Sequence, residues 1–212
     1  ETVLDGGDTM HIMKVNHSAA RVENLTFTNG QRALDLYLGT VENCRFTNCK
    51  TKNSGNAIYQ MGGLVRNCVF DNCFWTNHEH FNGVAMLMSG SNARAENCFF
   101  TNNVVPWAYA NWGGESGYSG GIVAVLEGAQ LVNSLIADNE MTVVSHESQS
   151  SLHALAVYAA GGAMVQNCAI VSNRVGKAMT QENGTQSSCY TCALVCDNAT
   201  VVNTLVAGNI CT

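Results

Sequence analysis

Charge is scarce in this 212-residue chain. Asp, Glu, Lys and Arg together make up 12% of it, and the 10 Lys plus Arg are outnumbered by 16 Asp plus Glu, for a formal net charge of −6. No cluster of cations is present to neutralise phosphates, which excludes a nucleic-acid groove and an anionic-membrane patch. No stretch reaches the roughly 18 apolar residues of a membrane helix, so no membrane span is expected. No basic start leads into an apolar run, so a signal peptide is absent or already removed. Proline occurs once, and 20 glycines are spread over a chain that is 46% hydrophobic, so the chain has core-forming material and is not a disordered polymer. One domain over 1–212 is expected, a fragment or mature piece of something longer, because neither end reads as a capping element.

What is present is a repeat. Val22-Glu23-Asn24-Leu25-Thr26-Phe27, Val41-Glu42-Asn43-Cys44-Arg45-Phe46, Val65-Arg66-Asn67-Cys68-Val69-Phe70 and Ala95-Glu96-Asn97-Cys98-Phe99-Phe100 are four close copies. Looser copies place their asparagines at Asn133, Asn167 and Asn203, and successive asparagines are 19, 24, 30, 36, 34 and 36 residues apart. The shortest spacing sets a minimal coil and the longer ones carry insertions. Short apolar runs such as Ala33–Leu38, Ile122–Leu126 and Ala154–Tyr158 precede the copies. Glycine pairs follow two of the runs, so these segments are strands and not helices. Two or three short strands per coil, stacked in register and joined by crossovers, form an all-β, right-handed parallel solenoid of about seven coils. At about 4.8 Å per coil it is roughly 34 Å long.

Stacking turns the repeat into columns. Phe27, Phe46, Phe70, Phe100, Ile136, Ile170 and Val206 form one interior column; Leu25, Cys44, Cys68, Cys98, Ser134, Cys168 and Thr204 form another. Asn24, Asn43, Asn67, Asn97, Asn133, Asn167 and Asn203 form a structural ladder at a bend, where asparagine tolerates left-handed backbone and amide can bond amide. This Val-x-Asn-Cys-x-Phe-Thr-Asn coil resembles that of right-handed parallel β-helix repeat proteins of the pectate-lyase-like superfamily. It is similar in particular to passenger-like repeats of bacterial surface proteins and polymorphic outer membrane proteins. The resemblance implies a secreted or cell-surface location, on a bacterial outer surface. It implies nothing specific about activity, since that superfamily holds lyases, hydrolases and adhesins alike.

Ten cysteines are present. Those in the interior column read as buried thiols acting as small hydrophobes. Cys49 and Cys73, at matching positions near a turn, are a candidate disulfide. Cys189, Cys192 and Cys196 have part of a zinc-like spacing but no second Cys or His pair, so no metal is expected there. No cofactor is implied.

The insertions, Phe74 to Phe81, Val104 to Gly120, Met141 to Ser151 and Arg174 to Cys189, all enter at one corner and are expected to stack as loops. They hold all three tryptophans. Trp75, His78, Glu79, His80, Trp107, Tyr109, Trp112 and Tyr118 are the candidate ligand-binding residues, since aromatic faces beside carboxylates and imidazoles suit glycan or protein surfaces. The reading favoured by these residues is an adhesin-like binding module. An alternative is a polysaccharide lyase or glycoside hydrolase using Glu79, His80, Glu115, His146 and Glu147, although the aspartate, arginine and lysine pairs of the related enzymes are missing. A second alternative is a structural element that associates with itself, end to end or through an outer stripe that turns apolar at Val69, Phe99, Leu135, Ala169 and Leu205. Loop cover of that stripe is the first expectation, and a homo-oligomer the second.

Overall fold

The computed structural model describes residues 1–51, 57–75, 83–109, 120–144, 152–179 and 190–211. Within these, the side chains of 51, 106–109, 142–144, 152–154, 176–179, 190–192 and 211 are not described. Among the described residues there is no helix, and the strands pair in parallel into three sheets of eight, six and twelve members.

Each coil passes through all three sheets. The eight-stranded sheet carries the repeat itself: Thr2–Asp5, Leu25–Thr28, Arg45–Thr47, Val69–Asp71, Phe99–Thr101, Leu135–Ala137, Ala169–Val171 and Leu205–Ala207 are hydrogen-bonded in that order. Thr2–Asp5 pairs with Leu25–Thr28 in parallel, with Leu4 opposite Phe27. The six-stranded sheet follows: Lys50–Thr51, Phe74–Trp75, Val104–Tyr109, Glu140–Val144, Arg174–Met179 and Ile210–Cys211. The twelve-stranded sheet has two arms. Met13–Glu23 and Leu34–Glu42 run through both, whereas later coils break into pairs such as Ile58–Gln60 with Gly63–Arg66 and Met86–Ser89 with Ala93–Glu96. Glycine makes the break: Gly63 has φ of 74°, and a Cβ there would sit 2.6 Å from the Gly39 carbonyl oxygen. Later coils therefore hold four strands, where the sequence reading expects two or three.

Two left-handed residues frame each strand of the eight-stranded sheet from Leu25–Thr28 onward. Asn24, Asn43, Asn67, Asn97, Asn133, Asn167 and Asn203 have φ between 48° and 59°. Five residues on, Asn29, Asn48, Asn72, Asn102, Asp138, Ser172 and Gly208 have φ between 51° and 63°. Left-handed backbone costs most side chains about 1–2 kcal/mol, and asparagine, aspartate and glycine less, so this pair of bends explains the Asn-x4-Asn rhythm. The expected ladder therefore forms as a column of bends. All seven of its asparagines are exposed, with amide-to-amide bonds from Asn97 to Asn67 (3.3 Å) and from Asn167 to Asn133 (3.2 Å).

Between the bends the strand points inward the third residue after the bend asparagine. Phe27, Phe46, Phe70 and Phe100 are fully buried and stack with ring centroids 4.8, 5.0 and 4.6 Å apart, nearly parallel. Their spacing is that of the strands, so register sets the geometry of the stack. Ile136 and Ile170 continue the column; Val206, in the last described coil, is 46% exposed.

A second ladder lies six residues after the bend asparagines from Asn43 on, and the sequence reading holds only its first two members, Cys49 and Cys73. Its members are Cys49, Cys73, Asn103, Asn139, Asn173 and Asn209. Asn139 Oδ1 accepts from both the backbone N–H and the Nδ2 of Asn103, each at 2.9 Å, while Asn139 Nδ2 donates to Phe100 O at 2.9 Å and to Asn173 Oδ1 at 2.8 Å. Asn173 repeats the pattern toward Asn209 and Ile136 O. The amides satisfy backbone groups at a corner where no strand neighbour does, which makes their burial tolerable. The signal for this ladder is in the sequence, as the residue after each Thr-Asn or its equivalent.

Candidate functional site

The insertions leave the solenoid between the six-stranded and the twelve-stranded sheet. Segments 76–82, 110–119, 145–151 and 180–189 each follow a strand of the former and precede a strand of the latter. The strands that launch them are consecutive neighbours in one sheet, and the strands that receive them are consecutive neighbours in another. Successive departures are therefore one coil apart along a single corner, as the repeat implies.

The residues expected to bind do not all belong to these segments. Phe74–Trp75 is a strand, and Trp75 is 1% exposed, packed in the core beside the column of Val105, Met141 and Val175. Alternation from the inward Cys73 puts it there. The expectation that Trp75 contacts ligand is corrected: it is a core residue. Trp107 and Tyr109 lie on the strand Val104–Tyr109, not in a loop, across a register shift between Val105 and Ala108. His153 likewise lies on a strand, opposite Thr191. His78, Glu79, His80, Trp112, Glu115, Tyr118, His146 and Glu147 lie outside the described residues.

The expectation of loop cover over the apolar stripe meets a different surface. On the outer face of the eight-stranded sheet, Phe99 is 49% and Leu205 58% exposed. The outward residues that are buried lie instead on the long arm of the twelve-stranded sheet. Leu87, Ala124, Tyr158 and Val195 form one column in register and are at most 9% exposed, although the inward positions are Met86, Met88, Val123 and Val125. Unbroken apolar runs such as Ile122–Leu126 are the trace of this, because a strand buried on both faces loses its alternation.

Charge gathers on the outside of the early coils. Glu42 accepts from Arg66 at 2.8 Å and from Arg21 at 3.2 Å, Arg45 meets Asp71 at 2.6 Å, and Arg94 bridges Glu96 and Gln130. The hydrogen bond from Arg66, with the charges of Arg66 and Arg21, holds the Glu42 carboxyl below its ordinary value despite some desolvation. A shallow groove of about 360 Å³ runs along the bend column, lined by Asn24, Asn43, Asn67, Arg45 and Val69. The pairs of Glu42 and of Asp71, and the bond from Arg94 to Gln130, join successive coils, and Glu42, Asp71 and Glu96 are each matched by a cation.

The interior thiols are chemically quiet. Cys44 is pushed up by its hydrogen bond with Cys68 and by burial. Contact with Cys44 pulls Cys68 down, but contact with Cys98 and burial outweigh it and push it up to about 12. Burial also raises Cys168. Protonated thiols are poor nucleophiles and poor metal ligands, so this column serves packing. Among the described residues no three His, Cys, Asp or Glu side chains gather as a metal site.

A parallel solenoid with a filled interior, one repeat per coil and inserted segments at one corner defines a β-helix. The chain belongs to the right handed beta helix region family, whose model matches residues 11–205. No curated protein and no solved structure matches the chain.

Proposed function

We propose that this chain is a secreted or surface-displayed binding module of a bacterial cell, contacting a glycan or a neighbouring surface protein through the segments inserted at its one corner. The observation that supports the reading is the stacking of their anchors. The strands ending at Trp75, Tyr109, Val144 and Met179 are adjacent in one parallel sheet. Short segments that carry Trp112, Tyr118, His78, His80, His146, Glu79, Glu115 and Glu147 thus start at intervals of one coil from a rigid frame, an arrangement suited to an extended ligand. Trp and Tyr offer large contact area with few rotatable bonds, and such anchors dominate binding energies.

The test is a glycan array and a pull-down against cell-surface proteins, with the chain compared to Trp112→Ala and to the double variant Trp107→Ala/Trp112→Ala. Loss of a hot-spot aromatic costs about 2 kcal/mol or more, so affinity falls roughly 30-fold with the β-sheet circular dichroism unchanged. Undiminished binding by both variants refutes a role for these segments.

A further inference from the structure

We propose that Cys49 and Cys73 are a pre-aligned disulfide site, which closes selectively among the stacked thiols and staples two adjacent coils near the insertion corner. This is independent of what the module binds. Lys50 is in register with Phe74 and Thr51 with Trp75, so the two cysteines preceding these strands face each other across one coil spacing. Cα atoms one strand spacing apart fall within the range that disulfides span.

The other thiol column has the same spacing but is tied down. Cys44, Cys68 and Cys98 each donate to the carbonyl two residues back in their own coil, at 3.2, 3.2 and 3.3 Å. The corresponding contacts of Cys49 and Cys73 are long, 3.7 Å to Thr47 O and 3.9 Å to Asp71 O. The cysteine pair also ends where the amide ladder begins, because the next member, Asn103, takes the Cys73 N–H on its Oδ1. Each of the two thiols thus has one sulfur neighbour, whereas Cys68 has two. The Cys73 thiol donates to Cys49, which lowers Cys49; the same bond, with burial, raises Cys73. The strands that follow, Lys50–Thr51 and Phe74–Trp75, are two residues long, so closing the roughly 1 Å between the strand spacing and a disulfide's Cβ separation disturbs little ladder.

The oxidant is a low-molecular-weight disulfide. One thiolate attacks it, releasing one thiol and leaving a mixed disulfide; the second cysteine attacks that bond and releases the second thiol. Two protein thiols and one small disulfide become one protein disulfide and two small thiols. Both cysteines are fully buried in the folded chain, so exchange occurs while the coils close, and the folded register selects the pair.

The experiment refolds the full chain in a buffer of oxidised and reduced glutathione, blocks remaining thiols by alkylation, and maps peptides without reduction. Cys68 and Cys73 share a tryptic peptide, so fragment-ion sequencing separates them. The expected result is one dominant cross-link, Cys49 to Cys73, with an unfolding midpoint that rises on oxidation and returns on reduction. Cys49→Ser and Cys73→Ser each abolish both effects, and either variant alone suffices if the other fails to fold. Alkylated Cys49, or a scatter of links to Cys44, Cys68 and Cys98, overturns the proposal.

Discussion

Truncating the central amide of the buried ladder, Asn139→Ala, isolates what the amides contribute. Asn139 is 1% exposed and makes four side-chain hydrogen bonds. Two of its partners retain another bond after truncation: Asn103 Nδ2 keeps Phe70 O at 3.1 Å, and Asn173 Oδ1 keeps the backbone N–H of residue 139 at 3.1 Å. The Asn103 backbone N–H loses its acceptor and Phe100 O loses a donor. A buried orphan of this kind costs about 1–3 kcal/mol, and the emptied carboxamide volume adds to it, so the loss is about 2–4 kcal/mol. That is a large part of the 5–15 kcal/mol by which domains are usually stable. Urea unfolding followed by circular dichroism measures it, and hydrogen exchange places the weakness in the coils around residue 139, since solenoids couple mainly to nearest neighbours. Asn139→Asp sharpens the test. A carboxylate satisfies Asn103 but meets Asn173 Oδ1 and Phe100 O with a buried negative charge, so its folded pKa lies above the unfolded value of about 3.9. Its penalty is full above the folded pKa and shrinks as pH falls through it, where the protonated acid donates. A loss below about 1 kcal/mol for Asn139→Ala, or an Asn139→Asp variant indifferent to pH, refutes the ladder as a stabilising element.

Two further outcomes are expected. At the exposed bend, Asn133→Gly leaves stability within about 0.5 kcal/mol of the parent, whereas Asn133→Val loses about 1–2 kcal/mol or more, because its φ of 50° suits glycine and not a β-branched residue; thermal denaturation of the two variants decides it. Glu42 has a folded pKa below its ordinary 4.5. Its ion pairs therefore contribute stability above that value and lose it as pH falls through the folded pKa. Glu42→Gln is then less stable than the parent near neutral pH and converges with it in acid, which paired urea titrations measure; a gap that persists in acid contradicts the assignment.

The candidate site was only partly legible. The corner of insertion followed from the repeat, since departures from a periodic coil must stack. The role of Trp75 did not, because an aromatic that opens an insertion reads the same whether it closes the core or faces solvent; only the phase of the strand after Cys73 turns it inward. The amide ladder was half visible. Asn24 to Asn203 announced a bend, but the buried members, Asn103, Asn139 and Asn173, hide among ordinary Thr-Asn-Asn and Ser-Asn strings until neighbouring coils supply their hydrogen-bond partners.

By itself, the sequence determined the winding. A hexad recurring seven times, with asparagine in every copy and phenylalanine and cysteine each in the same place in four, admits one stacking, because a one-residue slip of register would turn the phenylalanines outward. Only the tertiary structure decided which faces meet water. Burial on the outside of a strand depends on what lies over it, and the apolar columns headed by Phe99 and by Leu87 look alike in one dimension, yet one is half exposed and the other is covered.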